Sequence, residues 1–492
     1  MIVRLYSMNI ISIFAVLYVV SALLLTIYAL SALLLLLEYL RYGRRALPIP
    51  AVTEWPTVVV QLPIYNELHV VERLLTAVAA LDYPRDRLSV QLLDDSTDDT
   101  SDLAATVVAR LRDSGLDIQH IQRTDRSGYK AGALAYALER TTAELVAILD
   151  ADFVPAPDFL RCTVPHLAAD PGLGMVQTRW GHLNPFNNWL TLGQTLALDG
   201  HFVVEQTARS RAGWLMTFNG SGGVWRAQAI RDAGGWRDAT LTEDLDLSYR
   251  AQLAGWRFLY LKDVVVPGEL PPQIAAYKQQ QARWAKGSTQ CLGYILPPLW
   301  KSQFSLAQRV MATLHLCQYF PHPLMLLLLL LTPPLLLTHT LQHMPLGLLG
   351  LAGLGPPLVY LVSQHTLYAN WSRRMLAFPV LLALGTGIAW SNTRAVVSGL
   401  MGQGGEFQRT PKFASTWQNS RYALRSDPNM WVEIALSAYA LWGTWVALRL
   451  SPALAPYLAL YSFAFGWVAF WGLHDRWLLA RQANAAAVPA HS

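Results

Sequence analysis

An α/β domain with a largely parallel sheet, attached to a set of membrane-spanning α-helices, is the architecture this sequence predicts, and three observations predict it. Only 14% of the 492 residues are charged, against roughly 25% in soluble domains. Those charges concentrate between about residues 50 and 300, while Leu, Ala and Trp fill both ends. Within the polar stretch, short β-rich runs alternate with helical ones: "TVVVQLP", a helix from Glu67, "SVQLLDD", a helix from about Asp98, then "LVAILDAD". Alternation of this kind builds a parallel sheet covered by helices. The chain accordingly divides into an N-terminal transmembrane helix with a basic flank (1–45), a cytosolic α/β domain (46–300), interfacial and transmembrane helices (301–481) interrupted by a cytosolic loop (402–425), and a short tail (482–492).

The membrane elements follow in order. Met8 to Leu37 carries no charge and exceeds the roughly 20 residues that cross a bilayer. It is too long for the apolar core of a signal peptide, and no small-x-small cleavage site precedes the bases that follow. Those bases are Arg41, Arg44 and Arg45, and the positive-inside rule then puts residue 45 onward in the cytoplasm. After residue 300 apolar runs lie at about 322–340, 346–366, 375–391, 430–449 and 454–474. If the loop "GQGGEFQRTPKF", with Arg409 and Lys412, is cytoplasmic, only two of the first three runs cross fully. The run 375–391 contains Gly385 and Gly387 and ends near Asn392 and Arg394, so it reads as interfacial or re-entrant. Five crossings result, with the C-terminus inside, in a plasma or inner membrane. Residues 304–320 mix Phe304, Val310 and Leu314 with Gln308, Arg309 and His315, as a helix lying in the interface does.

Charge and cysteine use exclude several classes. The formal net charge is +5, and further bases gather at Arg373, Arg374, Arg476 and Arg481, where the chain leaves apolar runs. No basic stripe forms, so no nucleic-acid partner is expected. Cys162, Cys291 and Cys317 are widely spaced and odd in number, which supplies neither a disulfide framework nor a zinc site and suits a reducing cytosol. A transporter would place ionisable residues inside its spans, and the apolar cores here hold hardly any, with Glu433 near one end.

Ligands of parallel α/β sheets sit beyond the carboxyl ends of the strands, and two strand ends here are acidic. In "LLDDSTDDT", Asp94 and Asp95 follow a hydrophobic strand directly and can accept from a base N–H, whereas Asp98 and Asp99 precede a helix and read as caps. In "AILDADF", Asp150 and Asp152 flank one small residue and can share Mg²⁺ or Mn²⁺, leaving positions open for phosphate oxygens. Between them, "RSGYKAGAL" offers glycines for close backbone approach and Lys130 as a point charge for phosphate. In "LTEDLDLSYR", Thr242 can cap a helix whose positive end favours Glu243, Asp244 and Asp246; Asp244 facing a pocket would instead accept a proton from an attacking hydroxyl. In "QQQARWAKG", Arg283 suits phosphate, and Trp284 suits either a sugar face or the membrane interface.

In order, "VVQLPIYNE", "LLDDSTDDT", "KAGAL", "DAD", "FNGSGGVWR", "TEDLDLSYR" and "QQQARW" resemble the membrane-embedded family 2 glycosyltransferases, the group of cellulose synthase, plant-type glucomannan synthases and ceramide glucosyltransferase. The resemblance covers about residues 50–300 and implies a GT-A domain, the α/β fold of nucleotide-diphospho-sugar transferases. It implies that Asp94 and Asp95 contact the nucleoside, that Lys130, Gln280 and Arg283 face the donor diphosphate, and that Asp150 and Asp152 bind the metal. It makes Asp244 the catalytic base, Trp284 the platform for the acceptor sugar, and Asn219, Gly220, Ser221 and Glu243 further acceptor-binding groups. "EFQRTPKF" resembles the gating loop of processive members, with wording that departs from cellulose synthase. The expected reaction is inverting transfer from UDP-glucose or GDP-mannose to a membrane-proximal glycan acceptor in processive β-polysaccharide synthesis, with transfer of a single sugar to a ceramide- or diacylglycerol-type lipid as the alternative. Trp390, Trp431, Trp442 and Trp445 would line a product path or face lipid.

Overall fold

A computed structural model describes residues 2–43, 45, 47–343, 353–405, 407–414, 417–424 and 429–487; Arg44, part of the 346–366 run and the end of the C-terminal tail lie outside them. Helix α1 (Ile2–Tyr42) leads into the α/β domain. There β1 (Val58–Ile64), α2 (Val71–Ala79), β2 (Leu88–Asp94), α3 (Thr100–Asp113), β3 (Ile118–Gln122), α4 (Tyr129–Leu138) and β4 (Leu145–Ile148) alternate as expected. The second half comprises α5 (Phe159–Ala169), β5 (Leu173–His182), α6 (Trp189–Asp199), α7 (Gln206–Arg211), β6 (Gly223–Arg226), α8 (Ala227–Asp232), α9 (Glu243–Leu253) and β7 (Arg257–Gly268).

The seven strands form one sheet in the order β3-β2-β1-β4-β6-β5-β7. It is mixed rather than largely parallel in its second half: β6 runs antiparallel to both β4 and β5, with Ile148 opposite Gly223 and Val176 opposite Val224. Strand alternation sends side chains to two cores. Val58, Val60 and Leu62 meet Leu74 of α2, Val107 of α3 and Leu160 of α5 on one face. Val59, Val146 and Ile148 meet Leu134 of α4, Ile230 of α8 and Leu247 of α9 on the other. The loops after β1, β2 and β4 therefore open at one edge, beside the start of α9.

Beyond the sheet, α10 (Ile274–Lys301) leads to α11 (Leu306–Leu316), α12 (Pro321–Leu337), α13 (Gly355–Leu367), α14 (Trp371–Arg374), α15 (Phe378–Gly387), α16 (Ala389–Leu400), α17 (Met430–Leu450) and α18 (Ala455–Ala487). Among the described residues three helical stretches are long and apolar enough to cross a membrane, Ile10–Tyr42, Met430–Leu450 and Pro452–Arg481; the number reaches five if each of two bent pairs is one span. The pairs are α11 with α12, bent by 67°, and α14–α15 with α16, bent by 43°. This revises the expected set. The 304–320 stretch is one arm of a bent pair, and the described part of the 346–366 run forms α13, the rest of that run lying outside the described residues. Trp431, Trp442 and Trp445 are exposed on the helices' outer surface, a lipid-facing position, while Trp390 packs partly buried against the helical core. Across the bundle, the Tyr28 hydroxyl of α1 donates to the Cys317 carbonyl oxygen at 2.8 Å, 289 residues away in sequence.

Candidate active site

A cavity of about 170 Å³ lies at the open edge of the sheet. Its wall brings together Asp95, Lys130, Asp150, Asp152, Asn219, Gly220, Glu243, Asp244, Gln280, Arg283 and Trp284, every site residue expected from sequence except Asp94 and Ser221. Asp95 ends the β2 connection and Asp150 and Asp152 that of β4, so strand ends supply the first wall. Helix α9 supplies Glu243 and Asp244 from its first turn, and α10 supplies Gln280, Arg283 and Trp284.

The two exceptions are corrections. Asp94 is 2% exposed and its carboxylate is fully engaged: Oδ1 accepts from the Ser96 amide at 2.8 Å, and Oδ2 from the Ser101 hydroxyl at 2.6 Å and His120 Nε2 at 2.8 Å. Burial pushes its carboxyl up, but the bonds to His120, Ser101 and Ser96 outweigh it and hold it at about 2. Asp94 thus ties β2, β3 and α3 together instead of facing the cavity. Ser221 is fully buried, and its hydroxyl accepts from the Asp150 amide at 2.9 Å, positioning the Asp-x-Asp turn from behind. Thr242 also differs: it occupies the N-cap of α9 without a side-chain capping bond, its hydroxyl turned to Cys291 Sγ at 3.6 Å. Asp99 occupies the N-cap of α3 without a side-chain capping bond and turns to Arg421, while Asp98, one residue earlier, accepts from the Thr100 amide at 3.0 Å.

Charges in the cavity are interleaved. Lys130 Nζ donates to Asp150 Oδ1 at 2.6 Å and to the Gly220 carbonyl oxygen at 2.9 Å, with Glu243 at 3.6 Å. Burial disfavours the Lys130 charge, yet Asp150 and Glu243 raise its pKa overall. Gly220, at φ +85°, needs glycine twice over, because a Cβ there would lie 2.9 Å from Asp244 Oδ2. Burial, then the charge of Glu243, pushes the Asp244 carboxyl up to about 7 against Lys130 and Arg283. Burial lowers Arg283, opposed by Glu243, Asp244 and Asp150, and its guanidinium stands 4.6 Å from the Phe407 ring centre. Asp95 does not face the cavity alone: Arg123 pairs with it and also binds the Ser127 carbonyl oxygen at 2.8 Å, fixing the loop before α4.

The loop from Phe407 to Ala414 roofs this site. Lys412 Nζ lies 2.7 Å from Asp152 Oδ2, and Arg409 lies 3.0 Å from Glu67. The Phe413 and Ala414 amides both donate to Glu269 Oε2 at 3.2 Å. Burial pushes Glu67 up to about 8, and Asp152 adds to it against Arg409 and Lys412. Sequence reasoning did not single out Glu269, although it directly follows β7 and so met the same strand-end criterion as Asp150. Trp180 and His182, also on the cavity wall, were missed because a Trp and a His inside a ten-residue strand look like core.

The Asp-x-Asp pair has the chemistry of a divalent-cation site. Its two carboxylates flank Ala151, face one cavity, and each already holds a cationic ammonium. Among the described residues no three His, Cys, Asp or Glu side chains gather as a protein-only metal cage, so the donor set leaves room for phosphate oxygens.

Against known proteins, "Glycosyltransferase like family 2" matches residues 56–287. The chain is 45% identical over 238 residues to "Probable glucomannan 4-beta-mannosyltransferase 7" of Oryza sativa subsp. japonica, covering 48% of this chain and 41% of that one. It is 43% identical over 256 residues to "Glucomannan 4-beta-mannosyltransferase 1" of Cyamopsis tetragonoloba, covering 51% and 49%. The chain thus spans less than half the length of these curated relatives. In fold it is similar to the mannosyltransferase PcManGT from Pyrobaculum calidifontis, solved in complex with GDP-Man and Mn2+, with a TM-score of 0.54 and 23% identity over 79% of this chain and 99% of that one. Residues 56–287, with their mixed sheet and a charged cavity at the strand ends, are thus similar to glycosyltransferase family 2.

Proposed function

We propose that the protein is an inverting, processive hexosyltransferase that extends a β-linked glycan from a nucleotide-diphospho-sugar, with GDP-mannose as the favoured donor. The observation that carries this reading is the meeting of Asp244, Lys130, Arg283 and the Asp150–Asp152 pair in one cavity under the Phe407–Ala414 loop. The donor preference rests on the relatives' names and on GDP-Man in PcManGT. Cytoplasmic placement of the α/β domain, and its bounds at 46–300, belong to the same proposal.

In this mechanism Asp244 accepts the proton of the attacking acceptor hydroxyl. Its raised pKa matches that task near neutral pH. Lys130 and Arg283 stabilise the charge that grows on the leaving diphosphate. Asp150 and Asp152 would hold Mg²⁺ or Mn²⁺, which supplies Lewis-acid neutralisation of the same diphosphate when bound. Lys412 occupies Asp152 Oδ2 at 2.7 Å, so a cation held by Asp152 would compete with that ammonium for the same carboxylate. Attack opposite the diphosphate converts an α-linked donor into a β-linkage.

A second cavity of about 350 Å³ shares Asp244, Gln280 and Trp284 with the first and continues between Tyr277, Tyr319 and Tyr360. Aromatic rings with interspersed amides suit a sugar chain better than an acyl chain. Purified protein supplied with a panel of nucleotide sugars and Mn²⁺ is expected to give a ladder of hexose polymers from GDP-mannose. Chelation should abolish the ladder and Mn²⁺ or Mg²⁺ restore it. A single glycolipid, or no transfer from any donor, overturns the reading.

A further inference from the structure

The second cavity contains a histidine–carboxylate pair that the transfer chemistry leaves unused. Between α6 and α7 the helix continues through one π-turn, Gly200–Glu205, an irregularity most often met at functional sites. That turn carries His201 and Glu205, both on the cavity wall. His201 Nδ1 lies 3.0 Å from Glu205 Oε2, and His201 Nε2 lies 3.1 Å from Asn219 Nδ2. An amide nitrogen only donates, so Nε2 accepts and the ring proton sits on Nδ1, donated to Glu205. Gln206 fixes the amide from the other side, donating to Asn219 Oδ1 at 2.5 Å.

This chain ends on an unfinished group. Among the described residues Oε1 of Glu205 has no hydrogen-bond partner, and the side chain keeps 33% of its surface accessible and that of His201 21%, both on the cavity wall. Burial works against the Glu205 charge, but His201 and then Arg209 lower its pKa overall, so it is a carboxylate. A carboxylate on the cavity wall can accept from the hydroxyl of a ligand that enters there. The cavity's aromatic walls and its continuity with Asp244 narrow that ligand to a sugar.

One loop couples the pair to the reacting centre. Asn219 holds His201 with its side chain, the Gly220 carbonyl oxygen accepts from Lys130, and the Ser221 hydroxyl accepts from the Asp150 amide. We infer that Glu205, oriented by His201, binds neighbouring hydroxyls of the acceptor sugar and so selects which hydroxyl is presented to Asp244. This inference rests on the glycosyl-transfer reading and adds a specificity-determining pair to it.

The test uses the full chain in detergent or nanodiscs, with GDP-mannose as donor and β-linked mannohexaose as the added acceptor. Glu205→Gln keeps the shape of the side chain and removes its charge. Its KM for mannohexaose should rise about tenfold or more, the loss expected on removing hydrogen bonds to a charged group. The donor Kd, read by nucleotide titration, should stay within about twofold, and linkage analysis should show additional linkages. His201→Gln should move the acceptor KM in the same direction, and Glu205→Asp should recover part of it. An unchanged acceptor KM in both variants overturns the inference, as does a parallel rise in donor Kd, which marks a merely structural role. A wild-type protein that extends no saccharide with any donor overturns the glycosyl-transfer reading, and this inference with it.

Discussion

Asp244 is where residue-level physics becomes a measurable rate. Replacing it by Asn removes the proton acceptor but little volume, so transfer should fall by about 10²–10⁴ while nucleotide titration returns a near-native Kd. Its raised pKa also dictates a sign. The carboxyl must be ionised to accept a proton, so kcat/KM should drop about tenfold per pH unit on the acid side of a bend near 7. Glu243 is, after burial, the largest cause of that elevation, so Glu243→Gln should move the bend to lower pH; an unmoved bend would deny the coupling. The acids themselves were readable in the sequence because each follows a hydrophobic strand or opens a helix. What a linear reading lacked was direction: Asp94 and Asp95 are adjacent, yet one turns inward to His120 and Ser101 and the other outward to Arg123. Pleating decides between them, and it requires the register of β2 against β3.

At the scale of elements, α10 is the part whose fit matters most. Gly287 lies one turn beyond Arg283, and a Cβ there would meet Thr242 at 2.6–2.9 Å, including its backbone nitrogen. Only glycine lets α10 approach the start of α9 so closely. Gly287→Ala should push Arg283 and Trp284 away from Asp244 at an overpacking cost of about 1–3 kcal/mol. Transfer should then fall more than that loss of folding stability alone would cause, as thermal unfolding and labelled-sugar incorporation together would reveal. The roof loop offers a second test. Glu269 accepts both the Phe413 and Ala414 amides, so Glu269→Ala should speed hydrogen exchange at those two positions, and unchanged protection would refute its anchoring role. Alternating strands and helices predicted the first half of the domain well. The antiparallel β6 was missed because a four-residue strand, Gly223–Arg226, carries no periodicity long enough to reveal its direction.

For the whole molecule, the decisive contacts join the α/β domain to the helices after it. Asp475 of α18 accepts from the Ile274 amide at 3.1 Å, at the first residue of α10. One turn on, Lys278 pairs with Glu433 of α17, both side chains almost fully buried. Taking one charge out of a buried pair is destabilising, so Glu433→Leu should cost about 3–5 kcal/mol, whereas adding Lys278→Met should restore part of it. Thermal unfolding in detergent would check both, and a double variant no better than the single would contradict the pairing. Hydropathy marked the apolar segments but not their grouping, since bends of 67° and 43° depend on packing that a sliding window does not see.

The Tyr28–Cys317 bond between α1 and the α11–α12 bend has a consequence for biosynthesis. Its two halves are 289 residues apart, so at ~5–20 residues per second the first helix waits about 15–60 s on the ribosome's timetable for its partner. During that interval its Leu35–Tyr39 end gains Val203, Val204 and Ala208 as partners, and an evenly greasy cylinder with no polar stripe is the shape that can keep the rest in lipid.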